Sequence, residues 1–195
     1  MLLAIATVAT AWSGYQASRW GSEATKAIGR ANADRFDATQ KDDLANTQTS
    51  VDVAVFMQWA NAYASGDRVL RDFYFKRFRA EFKPAAVAWI ATRPLKNPNA
   101  PLTPFAMPQY RLAAREQATA LNKAADEAST QARTNLQRST NYVLGVVMFA
   151  ASLFFAGMST KLSSQRLGLA MLVLGGVVFV CTLAWIATSP VSISV

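Results

Sequence analysis

The chain contains no histidine and a single cysteine, Cys181, which lies within a long apolar run. A disulfide within the chain, a Cys/His zinc site, haem ligation by histidine, and Ser-His or Cys-His catalysis are therefore excluded. An apolar environment disfavours the reactive thiolate, so we expect Cys181 to pack as a small apolar residue rather than to react.

Carboxylates are present but do not form a catalytic pattern. Asp42, Asp43, Glu81 and Glu116 are scattered among ordinary helical neighbours, and we assign a catalytic role to none of them. The sequence predicts a protein that is not an enzyme and that has no catalytic residue, no metal site and no cofactor.

Charge is missing from two long C-terminal segments. No Asp, Glu, Lys or Arg occurs in 141–160 or in 167–188, and only Lys161 and Arg166 lie between the two segments. At about 1.5 Å per residue, each segment can cross a hydrocarbon core of about 30 Å as a helix. The sequence predicts a transmembrane hairpin.

The N-terminus is apolar over residues 1–11, which would span only about 16 Å as a helix. A first transmembrane helix can extend to Arg19 with Ser13, Tyr15 and Gln16 facing protein, or the natural chain can begin upstream of Met1. We favour the second interpretation. A cleaved signal peptide is a third, which the missing basic region before the apolar segment disfavours.

Nearly all charge lies in the central block: all 12 acidic residues and 18 of the 20 basic residues fall between Arg19 and Arg138. The net charge of the chain is +8, but acids and bases alternate at helical spacing, as on solvated helix faces. We therefore predict no nucleic-acid binding.

The central block shows helical periodicity. Residues 20–64 contain no proline, and Ser65, Gly66 and Asp67 form a signal that ends one helix and begins another. Apolar residues in this first helix recur at intervals of three, four and seven or eight: Trp20, Ala24, Ile28, Ala31, Phe36, Ala38, Ala45, Val55, Phe56, Trp59, Ala62 and Tyr63.

A second helix is predicted over 68–82, with one apolar side and a basic rim. Leu70, Phe73, Phe78 and Phe82 share the apolar side. The helix either packs on the long helices as a solvated amphipathic element, or it contacts anionic lipid or an acidic partner. The candidate interaction surface consists of this rim and two residues of a proline-rich loop: Arg71, Lys76, Arg79, Lys83, Phe105 and Met107.

Five prolines in 94–108 forbid a regular helix there, and the apolar residues of this loop predict that it packs on the bundle. From residue 109 an alanine-rich helix runs into the first span of the hairpin, with a stripe of Leu112, Ala114, Ala118, Leu121, Ala125, Ala128, Ala132 and Leu136. This stripe can pack within the chain or between subunits.

The predicted fold class is all-α, an integral membrane protein with three transmembrane helices and an extramembrane helical bundle of long helices continuous with the spans. The predicted segments are a first transmembrane helix, N-terminally truncated (1–19), the extramembrane helical domain (20–140) with its proline-rich loop (94–108), a second transmembrane helix (141–160), a short loop (161–166), a third transmembrane helix (167–190) and a tail (191–195).

Four stretches resemble a bacterial family of small, uncharacterised integral membrane proteins: AIATVATAWSGYQA (4–17), FRAEFKPA (78–85), NPNAPLTPFAMP (97–108) and FFAGMSTK (154–161). The resemblance covers essentially the whole chain. It implies a bacterial origin and a plan with three spans, but no activity, substrate or cofactor.

The two basic residues in the hairpin loop favour a cytoplasmic loop, a periplasmic helical domain and a place in the bacterial inner membrane. The expected partners are the lipid bilayer, anionic lipid, and a homo-oligomer or larger membrane complex. We expect a non-enzymatic scaffold or accessory subunit of a membrane complex that acts through its helical domain and its small-residue membrane faces. An oligomeric channel and a sensor-like ligand-binding module are the alternatives.

Overall fold

The computed structural model describes residues 2–192, and within them the chain is helical with no strand. Five α-helices follow one another: α1 (Leu2–Ala64), α2 (Arg68–Lys76), α3 (Lys83–Ala91), α4 (Ala113–Ser159) and α5 (Gln165–Ala187). A short 3₁₀ turn, Pro104–Ala106, lies in the loop before α4. The predicted all-α class is confirmed.

The helices belong to two compact units. The terminal unit comprises Met1–Ala31 and Asp126–Val195, and the central unit comprises Asn32–Ala125. Helices α1 and α4 each contribute to both units.

The buried side of α1 is a stripe of small residues. Ala17, Ala24, Ala31, Ala38 and Ala45 follow one another at intervals of seven residues, and each is at most 7% exposed. The predicted apolar stripe is therefore correct in its alanines. It is right for Trp20 and Trp59, which are buried, but wrong for Ile28 and Phe36, which are 48% and 66% exposed. Two helices that approach closely leave room for methyl groups but not for a phenyl ring.

Helix α4 has a matching stripe. Ala118, Ala125 and Ala132 are buried, again seven residues apart. The predicted Leu136 is 56% exposed, whereas its neighbour Asn135 is buried. A polar side chain of similar size thus occupies the helix contact in place of the leucine.

The terminal unit packs the start of α1 against the end of α4. The hydroxyl of Ser139 donates a hydrogen bond to the carbonyl of Ala17 at 2.8 Å, and further along both helices Ser13 lies beside Gly145. The residue numbers rise on one helix as they fall on the other, so the two segments are antiparallel.

Helices α4 and α5 form a tight hairpin. The hydroxyl of Ser152 donates to the carbonyl of Gly175 at 2.7 Å, and the rings of Phe149 and Phe179 are 5.5 Å apart. A Cβ added at Gly175 would lie 3.0 Å from the Ser152 carbonyl oxygen, so glycine permits this backbone approach. At Gly176, the next residue, a Cβ would meet no atom within 4 Å.

Two helices in the described part of the chain, α4 and α5, are long and apolar enough to cross a membrane. The prediction of three such helices is therefore wrong, because the N-terminal segment of α1 is not among them. Its apolar run is interrupted by Ser13 and Gln16, which are buried within the terminal unit, while Tyr15 is 54% exposed. The end of the predicted tail, 193–195, lies outside the described residues.

The central unit begins where α1 ends. Gly66 has a positive φ of 77°, and the carboxylate of Asp67 accepts a hydrogen bond from the Leu70 amide, which confirms the predicted break and N-cap. Helix α2 then ends at Lys76 rather than near residue 82, so the predicted length of the second helix is wrong.

The proline-rich loop packs only in part. Phe105 contacts the aromatic core and Pro104 is buried, but Leu95 is 74% and Leu102 is 94% exposed. The loop is held by Trp89, whose indole Nε1 donates to the carbonyl of Pro101 at 2.6 Å.

We expect Gly175→Ala to destabilise the α4–α5 hairpin by about 1–3 kcal/mol, because the added methyl group must push the two backbones apart. The control Gly176→Ala should be neutral or stabilise by up to about 1 kcal/mol, since alanine is the better helix former. Denaturant unfolding of both variants in detergent micelles measures the difference. Equal stabilities would contradict the close approach at Gly175.

Candidate functional site

A buried ion pair lies at the centre of the central unit. Asp52 belongs to α1, seven residues after Ala45, and its side chain is 1% exposed. Its carboxylate accepts a hydrogen bond from Arg79 at 2.9 Å. Arg79 lies in the turn after α2 and is 25% exposed, so solvent reaches one side of the pair only.

Four further groups complete this ion-pair cluster. Arg79 also pairs with Glu81, and the other carboxylate oxygen of Glu81 accepts a hydrogen bond from the amide of Ala113, the first residue of α4. The hydroxyl of Tyr110 lies 3.1 Å from the Asp52 carboxylate and 3.3 Å from the hydroxyl of Thr49. The cluster therefore joins α1, the turn after α2 and the start of α4.

Burial raises the pKa of the Asp52 carboxyl above its ordinary value, although the Arg79 charge and the Tyr110 hydrogen bond oppose the shift. Burial also raises the pKa of the Tyr110 phenol. With both carboxylates ionised, Asp52, Glu81 and Arg79 carry one net negative charge, and no group of His, Cys, Asp or Glu in residues 2–192 could hold a metal ion. The arrangement serves to hold three chain segments together.

An aromatic core packs beside this cluster. Phe82 stacks on Phe105 at a centroid distance of 5.0 Å and meets Phe78 edge-on at 4.9 Å. Phe56 contacts Trp89 at 5.4 Å. Such pairs stabilise by about 0.5–1.5 kcal/mol beyond the burial of their area, so this core fixes α3 and the loop on α1.

Helix α2 has an unusual exposure pattern, because none of its nine residues is buried. Val69 is 81%, Leu70 is 45% and Phe73 is 43% exposed. Arg68 and Lys76 are exposed on the same helix. We call Val69, Leu70 and Phe73 the α2 apolar face.

The basic residues of the predicted interaction surface occupy different environments. Arg79 points inward to the ion-pair cluster. Arg71 pairs with Asp72 at 2.9 Å, Lys83 lies over the Phe75 ring at 5.3 Å, and Lys76 is exposed at the end of α2.

The two loop residues of that surface also differ from each other. Phe105 is part of the aromatic core, and Met107 directly follows the 3₁₀ turn and is partly exposed. Of the six predicted residues, Arg79 and Phe105 are therefore engaged in the ion-pair cluster and the aromatic core, and the other four are at least partly exposed.

Sequence reasoning missed Asp52 and Tyr110. A signal for Asp52 was present, because it falls on the seven-residue repeat of buried alanines and precedes buried Trp59 by the same interval. An acidic residue on a buried stripe requires a partner, and Arg79 supplies it. The sequence carries no comparable signal for Tyr110, which follows an irregular loop.

Comparison of the chain with known protein families, with curated proteins and with solved structures gave no match.

We expect Arg79→Gln to destabilise the protein by about 3 kcal/mol, because it leaves the buried Asp52 carboxylate without its counter-charge. Arg115→Gln is the matched control. Arg115 pairs with Asp42 at 2.7 Å, but both side chains are more than 40% exposed, so its loss should cost no more than about 1 kcal/mol. Urea unfolding of the full chain in detergent, followed by tryptophan fluorescence, compares them. Similar losses for both variants would contradict the special role of the buried pair.

We expect the stability of the wild type relative to Asp52→Asn to fall as the pH rises above about 4. The pKa of Asp52 is raised in the folded protein, so in this window the folded state binds more protons than the unfolded state. The difference in unfolding free energy should become constant once the pH exceeds the folded-state pKa. The same urea titrations, repeated from acidic to neutral pH, measure it. A relative stability that increases with pH would refute the raised pKa.

Proposed function

We propose that this protein is a membrane-anchored, non-enzymatic accessory subunit that docks a partner protein through the α2 apolar face. The observation that carries the proposal is the exposure of Val69, Leu70 and Phe73 on a helix without any buried residue. Helix α2 contributes little to the core through these side chains, so their apolar character needs another explanation.

Anchoring in a bilayer is supported by the apolar surface of α4 and α5. Along α5, side chains that a soluble protein would bury are 44–63% exposed: Leu167, Leu169, Leu172, Val173, Leu174, Val177 and Val180. Contact with water is unfavourable for a contiguous apolar surface of this kind, whereas contact with lipid is favourable. The basic residues Lys161 and Arg166, at the connection between the two helices, favour a cytoplasmic hairpin end in a bacterial inner membrane and a periplasmic central unit.

The chemistry of the α2 apolar face defines its partner. A short amphipathic helix fits an apolar groove, in which alternating turns supply the anchoring side chains. Arg68 and Lys76 are exposed near the two ends of α2. We therefore expect a partner whose groove is apolar at its centre and acidic at its rim. Anionic lipid would satisfy the same charges, and the experiment separates the two.

A photo-crosslinking amino acid at position 73 should capture a partner protein in membranes of the source cells, whereas the same group at exposed Gln117 of α4 should not. The capture should weaken when Arg68 and Lys76 are replaced by Glu, and should recover when acidic residues of the captured partner are replaced by Lys. Each exposed side chain can be replaced without a core loss, so the unfolding free energy should change by less than about 1 kcal/mol.

Three results would contradict the proposal. Crosslinks to lipid alone would assign the α2 apolar face to the bilayer surface. Crosslinks only to second copies of the chain would indicate a homo-oligomeric scaffold. Equal capture at positions 73 and 117 would show that the α2 apolar face has no particular role.

A further inference from the structure

Two adjoining cavities lie on the central unit, away from the ion-pair cluster. The first has a volume of about 300 Å³ and the second about 260 Å³, and both are lined by Tyr63 and Ile90. The same two side chains therefore form part of both linings. Volumes of this order match small-molecule sites in proteins.

The first cavity is apolar and electrically balanced. Trp59, Phe75 and Val87 contribute aromatic and aliphatic surface. Arg71 and Asp72 also line it, but the Arg71 guanidinium donates to the Asp72 carboxylate at 2.9 Å, so the charges compensate. This cavity suits an uncharged aromatic or short aliphatic group.

The second cavity carries uncompensated positive charge. Arg93 and Lys96 line it together with Leu95, and neither basic side chain has an ion-pair partner within residues 2–192. Two cations at one end of an apolar cavity favour an anion, and a guanidinium can hold a carboxylate through two parallel hydrogen bonds.

The backbone at Arg93 has a conformation that sets where the basic residues of the second cavity lie. Its φ is 53°, the only positive φ of a residue other than glycine in the described chain. Arg93 directly follows Thr92, the C-cap of α3, and a left-handed residue at this position commonly ends a helix. Glycine or asparagine is favoured there, so the long side chain of Arg93 is strained.

We propose that these two cavities form one binding site for a small organic anion with an apolar body. The body occupies the space between Trp59, Phe75 and Val87, and the carboxylate lies against Arg93 and Lys96. The site goes beyond partner docking, because Val69 and Phe73 of the α2 apolar face do not line either cavity.

The test uses the full chain in nanodiscs of zwitterionic lipid, with phenylbutyrate as the probe and phenylbutanol as its uncharged counterpart. Isothermal titration calorimetry should show that phenylbutyrate binds more tightly than phenylbutanol. Arg93→Gln with Lys96→Gln should weaken phenylbutyrate binding by about tenfold, the factor expected for one charge-assisted contact, and should leave phenylbutanol unchanged. Lys41→Gln with Arg111→Gln removes the same charge outside the cavities and should change neither affinity.

Two further variants separate the site from the fold. Val87 is 49% exposed, so Val87→Trp can fill the first cavity without disturbing the core and should weaken both ligands. Arg93→Gly should relieve the backbone strain and raise the melting temperature, yet weaken phenylbutyrate binding. Equal affinities for phenylbutyrate and phenylbutanol would overturn the proposal. Equal losses of phenylbutyrate affinity in the two charge-neutralised double variants would also overturn it. So would unchanged binding in Val87→Trp.

Discussion

The buried carboxylate of Asp52 is the constraint on which the central unit depends. A charge with 1% exposure must be paired, and the one guanidinium beside it comes from Arg79, 27 residues further along the chain. Meeting this requirement places the turn after α2 against α1. Glu81 then accepts a hydrogen bond from the Ala113 amide at the start of α4. The same cluster therefore also positions the first turn of α4.

This constraint explains why α2 ends early. Sequence periodicity places Leu70, Phe73, Phe78 and Phe82 on one side of a single helix. The helix instead ends at Lys76, and the following turn carries Arg79 to Asp52 while Phe78 and Phe82 enter the aromatic core. Leu70 and Phe73 remain outside the aromatic core and are exposed. The exposed apolar face, on which the docking proposal rests, is therefore a consequence of how the buried charge is satisfied.

The long helices α1, α4 and α5 pack through small residues rather than through a buried charge. Alanines at intervals of seven allow close packing along α1 and α4, and Gly175 allows it between α4 and α5. Close packing of backbones leaves little buried area per residue, so most large side chains of these helices face outward. On α5 this outward surface is almost entirely apolar, which is why its length and composition suit a bilayer.

The order of residues along the chain is enough to predict the helical class, the two apolar hairpin helices, the break at Gly66 and the alanine stripes. These features depend on local chemistry, namely on hydropathy, periodicity, a residue that tolerates positive φ and an N-cap. The end of α2, the inward direction of Arg79, the place of Tyr110 and the two cavities that share Tyr63 and Ile90 depend on the packed chain. Each of these depends on contacts between residues distant in sequence, and local spacing carries no information about which distant charge must be paired.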